Sequence, residues 1–333
     1  MTIPVYPEFE PISISHKEYL QPLLRTLENG ISEFTFANLF LFRDHYKYQI
    51  SQYTTESGYT LPVIIGITPG TSGKELETFA MLPFGFPGLA LMEDLLSCHC
   101  YIKDFPEQAA ELHRILLERK GFCVEQDRNN FDYIYNRSDL ASLNGRKYHK
   151  KRNLVNAFIN NYNYEEKRID PEIHKEDLFS ILNSWKTEKQ EDGDYDAAYE
   201  AINEFEELGL RGCITYTDGK PSAYSMGEII AHGNMFAIHF EKAVGDYKGI
   251  YQFINRSFAE MLADCIEVIN REQDLGDSGL RQAKMSYRPT GFIKKYRISH
   301  SEFSPCPEAD VETETEAEFE ADSADKIAEV VTV

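Results

Sequence analysis

Residues 211–270, RGCITYTDGKPSAYSMGEIIAHGNMFAIHFEKAVGDYKGIYQFINRSFAEMLADCIEVIN, decide the fold. Three apolar, strand-like runs at 211–217, 222–231 and 234–243 are separated by Asp218-Gly219 and His232-Gly233-Asn234, which supply tight turns. An antiparallel meander is predicted. A helix from about Gly249 to Asp264 then leads into the short apolar run Cys265–Asn270, and a helix between two strands implies a parallel pair with a crossover. Working outward, 278–287 is a helix and 292–298 a final strand, while 174–189 and 196–208 are helices on the amino-terminal side. The first of those carries Leu178, Ile181, Leu182 and Trp185 at helical spacing, and Gly209 stands where the second would be capped.

The first half repeats this order. Helical runs at 15–28 and 33–44 precede strand-like segments near 46–54, 60–67 and 76–83, then a helix at 106–119, a strand at 122–126, a short helix near 128 and a strand at 132–136. The reading is an α/β (α+β) chain of two tandem domains with mixed sheets, in the element order of GNAT-type (acyl-CoA N-acyltransferase-type) folds. The expected division is 1–137, a helical connector at 138–162, a second domain at 163–300, and a disordered acidic tail at 301–333.

Composition bounds the function classes. The 333 residues carry a formal charge of -21, about half of it in the tail, and this excess argues against unselective nucleic-acid binding. No run approaches the roughly 20 apolar residues of a membrane span, no signal-like segment opens the chain, and six scattered cysteines fit a reducing compartment. A cytoplasmic location is expected. Cys98-His99-Cys100 lacks a second pair to complete a metal site, so no metal is expected.

In open α/β sheets ligands lie beyond the carboxyl ends of the strands, which directs attention to four clusters. Glu241 ends one strand and is followed by a loop through Lys248 and Gly249 into a helix, a place where backbone N–H groups could receive an anion. Asn270, Arg271, Glu272 and Asp274 follow the next strand, and Glu272 or Asp274 could hold an ammonium or act as base. Arg281, Lys284 and Arg288 form one basic ridge on the helix beside Tyr287, in a stretch without acids from Ser278 to Ser301. Lys147, Lys150, Lys151 and Arg152 make the connector strongly basic. A solvated face explains each basic run as readily as an anion site does.

INREQDLGDSGLRQAKMSYRP (269–289), NGRKYHKKRN (144–153) and FEKAVGDYKGIYQFINRSFAEML (240–262) resemble the C-terminal domain of lysyl-phosphatidylglycerol synthase, and more specifically its soluble bacterial branch. The resemblance covers about residues 10–298. It implies a dual-GNAT fold shared with Fem-type aminoacyltransferases, and transfer of an amino acid from aminoacyl-tRNA to a hydroxyl. Leu280, Arg281, Lys284, Tyr287 and Pro289 stand at the family's late signature, which implies site roles for Lys284 and Arg281, with Glu272 beside them. The chain lacks the multi-helix membrane segment of the lipid enzymes, which sets the lipid acceptor apart.

The expected function is acyl or aminoacyl transfer to an amine or hydroxyl of a small molecule or lipid headgroup. Its catalytic candidates are Lys284, Glu272 and Glu241, with aminoacyl-tRNA or acyl-CoA as co-substrate and no tightly held cofactor. An acyl-CoA-dependent N-acetyltransferase and a non-catalytic ligand-binding protein are the alternatives. The oligomeric state stays open, a monomer included.

Overall fold

The computed structural model describes residues 3–69, 76–189, 193–245 and 247–300, so the acidic tail and Asp246 of the 244–250 loop lie outside the described residues. The strands are β1 (Glu10–Pro11), β2 (Gln49–Thr54), β3 (Thr60–Pro69), β4 (Leu76–Met81), β5 (Tyr101–Pro106), β6 (Phe122–Gln126), β7 (Asp132–Asn136), β8 (Tyr164–Arg168), β9 (Arg211–Thr217), β10 (Lys220–Ile230), β11 (Met235–Ala243), β12 (Val268–Asn270), β13 (Gly291–Ile293) and β14 (Lys295–His300). The helices are α1 (Lys17–Leu24), α2 (Phe36–Leu41), α3 (Arg43–Tyr46), α4 (Leu89–Cys98), α5 (Glu107–Arg119), α6 (Arg137–Ser142), α7 (His149–Asn161), α8 (Pro171–Lys189), α9 (Tyr195–Asn203), α10 (Ile250–Met261) and α11 (Ser278–Met285). Among the described residues no helix is long and apolar enough to cross a membrane.

Two seven-stranded mixed sheets result, β1-β2-β3-β4-β5-β14-β6 and β8-β9-β10-β11-β12-β7-β13. Position by position they are the same sheet twice. Each holds one parallel pair three residues long: Phe79–Met81 beside Tyr101–Lys103, and Met235–Ala237 beside Val268–Asn270. The tandem layout expected from the element order is therefore present. Its counterpart of α10 is α4, however, which with β5 escaped the sequence reading, whereas the helix expected in that role is α5. The run LALMEDLLSC buries Leu91, Met92, Leu95 and Leu96 on one face, but the stripe is short and no side-chain N-cap announces it.

The sheets also exchange strands. β7, from the first half of the chain, sits between β12 and β13, and β14, the last described strand, sits between β5 and β6. The sheets thus cross the division expected near residue 137. The seam between them is a single apolar core in which α1 and α2 pack with α8 and α9: Leu20, Phe36 and Phe40 share one cluster with Leu178, Trp185, Ala198 and Ile202. The outer faces are covered separately. Leu91, Leu95 and Leu117 of α4 and α5 cover the first sheet, while Val155, Phe158, Phe253 and Phe258 of α7 and α10 cover the second. One core thus draws on helices from both halves of the chain.

Candidate active site at the divergence of two parallel strands

After Ala237 and Asn270 the β11–β12 pair separates, because β11 runs on to Ala243 while β12 ends. A β-bulge shapes the opening. Met226 pairs with Phe240 and Gly227 with Ile238, so His239 is the extra residue on β11. A bulge reverses the two-residue alternation beyond it. Phe236 and Ile238 belong to the outer cluster, Phe240 to the seam, and Ala243 to the outer cluster again. His239 and Glu241, two residues apart, consequently serve opposite faces. Gly227 makes this approach possible, since a Cβ there would overlap the Ala237 carbonyl.

The loop after β12 threads the opening and keeps pairing with β7. Arg271 donates its backbone N–H to the Tyr133 carbonyl at 3.0 Å, and Tyr133 donates to the Glu272 carbonyl at 3.1 Å. Alternation then sends Arg271 outward and Glu272 to the seam. Outward, Arg271 meets Glu241 at 2.9 Å and its guanidinium lies 5.3 Å from the Tyr287 ring, over which Lys151 of α7 also sits at 4.0 Å. Inward, Glu272 Oε1 is 2.7 Å from His239 Nδ1, and His239 Nε2 is 3.2 Å from Glu228 Oε1. Asn38 of α2 donates to the same Glu272 oxygen at 3.5 Å.

The electrostatics follow from burial against pairing. Burial alone would lower the His239 pKa, yet its hydrogen bonds to Glu228 and Glu272 outweigh that and push it up to about 10. At neutral pH it is an imidazolium clamped between two carboxylates. Burial raises Glu272 despite the His239 bond that opposes it. Lys284 is buried and donates to the Arg271 carbonyl at 2.7 Å and to the Gln273 carbonyl, so its charge holds the loop that carries Glu272. Burial brings its pKa down to about 8, with Glu272 pulling the other way. Lys151 also falls to about 8, through burial and then the neighbouring Arg271 charge.

Of the residues expected at the site, Asn270, Arg271, Glu272, Glu241, Lys284, Tyr287 and Lys151 are brought together. The basic ridge is not. Arg281 Nε and Nη2 bind Asp274 Oδ2 and Oδ1, each at 2.9 Å, and Arg128 and Tyr133 reach the same buried carboxylate at 3.2 and 2.6 Å. Burial is outweighed by the Arg281 and Tyr133 bonds, and Asp274 falls to about 2. Neither it nor Arg281 is free to hold an ammonium or a phosphate in this arrangement. Arg288 is exposed with a left-handed backbone.

The acid-free stretch 278–301 has a different origin from the expected anionic ligand. Beyond Arg281, whose acid is Asp274, its acids are supplied by the first half of the chain: Lys294 pairs with Glu107 at 2.8 Å, Lys295 with Asp132 at 2.7 Å, and Arg297 with Glu77 at 3.3 Å. Strand exchange moves the counter-charges far away in sequence. In the connector, Lys147 pairs with Asp139 at 3.1 Å, Arg152 binds the Leu143 and Gly145 carbonyls, and Lys150 is exposed. Lys248 is exposed too, and Gly249 is explained by packing, since a Cβ there would overlap the Leu154 carbonyl of α7.

Sequence reasoning missed His239, Glu228, Asp132, Glu33, Lys103, Asp104 and Lys295, all of them buried. The available signal was a charged or imidazole residue inside an apolar strand, as in Phe236-Ala-Ile-His239 and Tyr101-Ile-Lys-Asp104. Such residues are buried only when paired.

The family model described as phosphatidylglycerol lysyltransferase, C-terminal, matches residues 91–299. A conserved protein of unknown function from Bacteroides thetaiotaomicron is 31% identical, with a TM-score of 0.74 over 87% of this chain and 98% of its own. The C-terminal domain of an Agrobacterium fabrum protein named for lysylphosphatidylglycerol synthetase superposes at a TM-score of 0.56 with 11% identity, over 86% of this chain and 92% of its own. FemX gives 0.53 with 10% identity, over 87% and 96%. At those identities the last two establish the fold alone. The alignment to an uncharacterized Mycoplasmoides gallisepticum protein, 23% identical over 182 residues, covers 53% of this chain and 57% of that protein. From the matched span and the Bacteroides relative together, the chain belongs to the phosphatidylglycerol lysyltransferase C-terminal family.

Proposed function

We propose that this chain transfers an aminoacyl group from an activated ester donor to an amine or hydroxyl acceptor in the opening between β11 and β12. One observation carries the reading. The loop through the opening presents Glu272 with Oε1 tied to His239 and Asn38, while no hydrogen bond to Oε2 is found among the described residues. Oε2 is the atom that faces an acceptor. The acceptor nitrogen or oxygen attacks the donor carbonyl carbon, its proton passes to Glu272, and the ester C–O bond breaks with the electron pair leaving on the donor oxygen. That oxygen takes the proton back from Glu272. The imidazolium of His239 keeps the carboxylate oriented, and Lys284 fixes the loop through two carbonyls. Family membership supports an aminoacyl donor, with aminoacyl-tRNA as its chemical class.

An acyl-CoA donor is less well supported. Its pyrophosphate would be placed at the start of α10, where the Gly249 backbone is pressed against the Leu154 carbonyl.

The test is a transfer assay with labelled aminoacyl-tRNAs and with acetyl-CoA, against lipid extract and small amines. Glu272→Gln is expected to lower aminoacyl transfer about 10²- to 10⁴-fold. Acetyl transfer alone would replace the donor assignment. Failure of every charged tRNA to give product above background would remove the proposal.

A further inference from the structure

We propose that the buried network at the seam of the two sheets is the positioning device for Glu272, with Asn270 as its coupling element and Asp132 as its anchor. Asn270 is fully buried, with both amide hydrogens and the amide oxygen hydrogen-bonded. Its Nδ2 donates to the Gly30 carbonyl at 3.0 Å and to Asp132 Oδ2 at 2.9 Å, and its Oδ1 accepts from the Glu272 backbone N–H at 2.7 Å. An amide bonded on three sides cannot turn, so the Glu272 N–H has one permitted direction.

That direction matters because Glu272 sits at φ 57°, in the left-handed region that a residue with a Cβ disfavours. Released from Asn270, the residue would relax toward ordinary φ and carry its carboxylate away from His239. The anchor is equally constrained. Asp132 accepts from the Ser32 backbone N–H at 2.9 Å, from Ser32 Oγ at 3.1 Å and from Lys295 at 2.7 Å, and Lys295 also binds Glu33. The first half of the chain thereby fixes a carboxylate of the second through the 30–33 segment and β7, and the exchanged β14 closes the arrangement. Asn270 and Asp132 contact neither of the atoms that would react, so their role is to hold Glu272 in place. As a statement about transfer this rests on the proposed function; as a statement about Glu272 it does not.

The probe is the His239 ring, whose charge reports its contact with Glu272. The titratable groups around it are Glu228 from β10 and Glu272 itself, with Asp132 and Lys284 acting on Glu272 from behind. In the full chain, NMR titration of His239 should give a pKa near 10. Asn270→Ala is expected to lower it by at least one pH unit, roughly a tenfold loss of proton affinity, with Glu272→Gln shifting it further in the same direction. If Asn270→Ala does not fold, Asn270→Ser keeps one polar atom in the buried position and serves the same purpose. A folded Asn270 variant titrating as the wild type would overturn the proposal. Wild-type amide exchange gives a second reading without any variant: the Ser32 and Glu272 N–H groups should open with the same free energy, and separate opening would equally overturn it. Absence of aminoacyl transfer would leave both measurements standing, so the two ideas fail separately.

Discussion

The β4–β5 and β11–β12 pairs are one construction used twice, and they are filled differently. Both run parallel for three residues, and in both sheets the strand beyond the pair has been exchanged with the other half. In the first sheet the irregularity lies on β5, between Ile102 and Phe105 where it faces β14, and it buries Lys103 and Asp104 against each other at 2.6 Å. Tyr46, Tyr48, Phe79 and Tyr101 pack ring against ring beside them. In the second sheet the bulge lies on β11, and the charged groups it turns inward reach a side chain, Glu272, that is 15% exposed. Asp104, at 0%, is sealed. A duplicated sheet keeps its architecture because both copies need a core. Only in the second copy does a carboxylate at this place reach solvent.

The largest way to break this comparison is to remove the charge that the two halves share. Lys295→Met would leave Asp132 and Glu33 buried without their cation, and a loss of about 3–5 kcal/mol is expected in chemical denaturation. One cooperative transition should report both sheets, because the seam belongs to each; two separated transitions would show that the halves fold independently.

Next come the paired glycines. In β10 a Cβ at Gly227 meets the Ala237 backbone carbonyl, whereas in β3 a Cβ at Gly66 comes within 2.7 Å of the Phe79 ring edge and 3.0 Å of the Tyr46 carbonyl. Gly227→Ala is expected to cost about 3 kcal/mol and Gly66→Ala about 1–2 kcal/mol, as an aromatic side chain yields more readily than a strand. Equal losses would mean that the bulge at His239 is not the tighter of the two.

Stability against pH sharpens the comparison further. The folded pKa of His239 is raised from 6.5 to about 10, so its contribution is fully present below pH 6.5 and is lost as pH rises toward 10. The folded pKa of Lys284 is lowered from 10.5 to about 8, so the folded state binds fewer protons between those values and stability gains as pH rises through them. Lys151, lowered to about 8 as well, adds to that gain, so a decline that begins near pH 6.5 and reverses above pH 8 is expected in urea melts. His239→Gln should remove the first part, and a profile unchanged by that variant would contradict the clamped imidazolium.

The smallest effect concerns the outer face. Lys151 is a half-buried cation with Arg271 as its charged neighbour, so Lys151→Met is expected to be neutral or to stabilise by about 1 kcal/mol. Lys150→Ala, at an exposed position of the same helix, should change stability by less than about 0.5 kcal/mol. A clear loss from Lys151→Met would mean that its charge is compensated in the folded chain.

Much of the architecture was legible in the sequence because it rests on periodicity. The meander from 211 to 243, the helix that follows it and the strand ending at Asn270 show alternation or helical spacing that solvent on one side and core on the other impose. α4 was not legible, since its apolar stripe is short and no side-chain cap marks its start. The loop Asn270–Asp274 announced itself by an abrupt change from apolar to polar residues, and Glu272 and Lys284 came with it. Arg281 and Asp274 were legible as charges but not as partners of each other.

The sequence by itself determined the two-sheet α/β class, the duplication and the polar loop after β12, because each depends on contacts between residues close along the chain. Tertiary structure alone decided that β7 and β14 change places, that Lys294, Lys295 and Arg297 answer acids more than 100 residues away, and that a bulge sends His239 to one face and Glu241 to the other. Charge pairing and bulge register are settled by what lies across a sheet or a seam, and no local pattern of residue types carries that information.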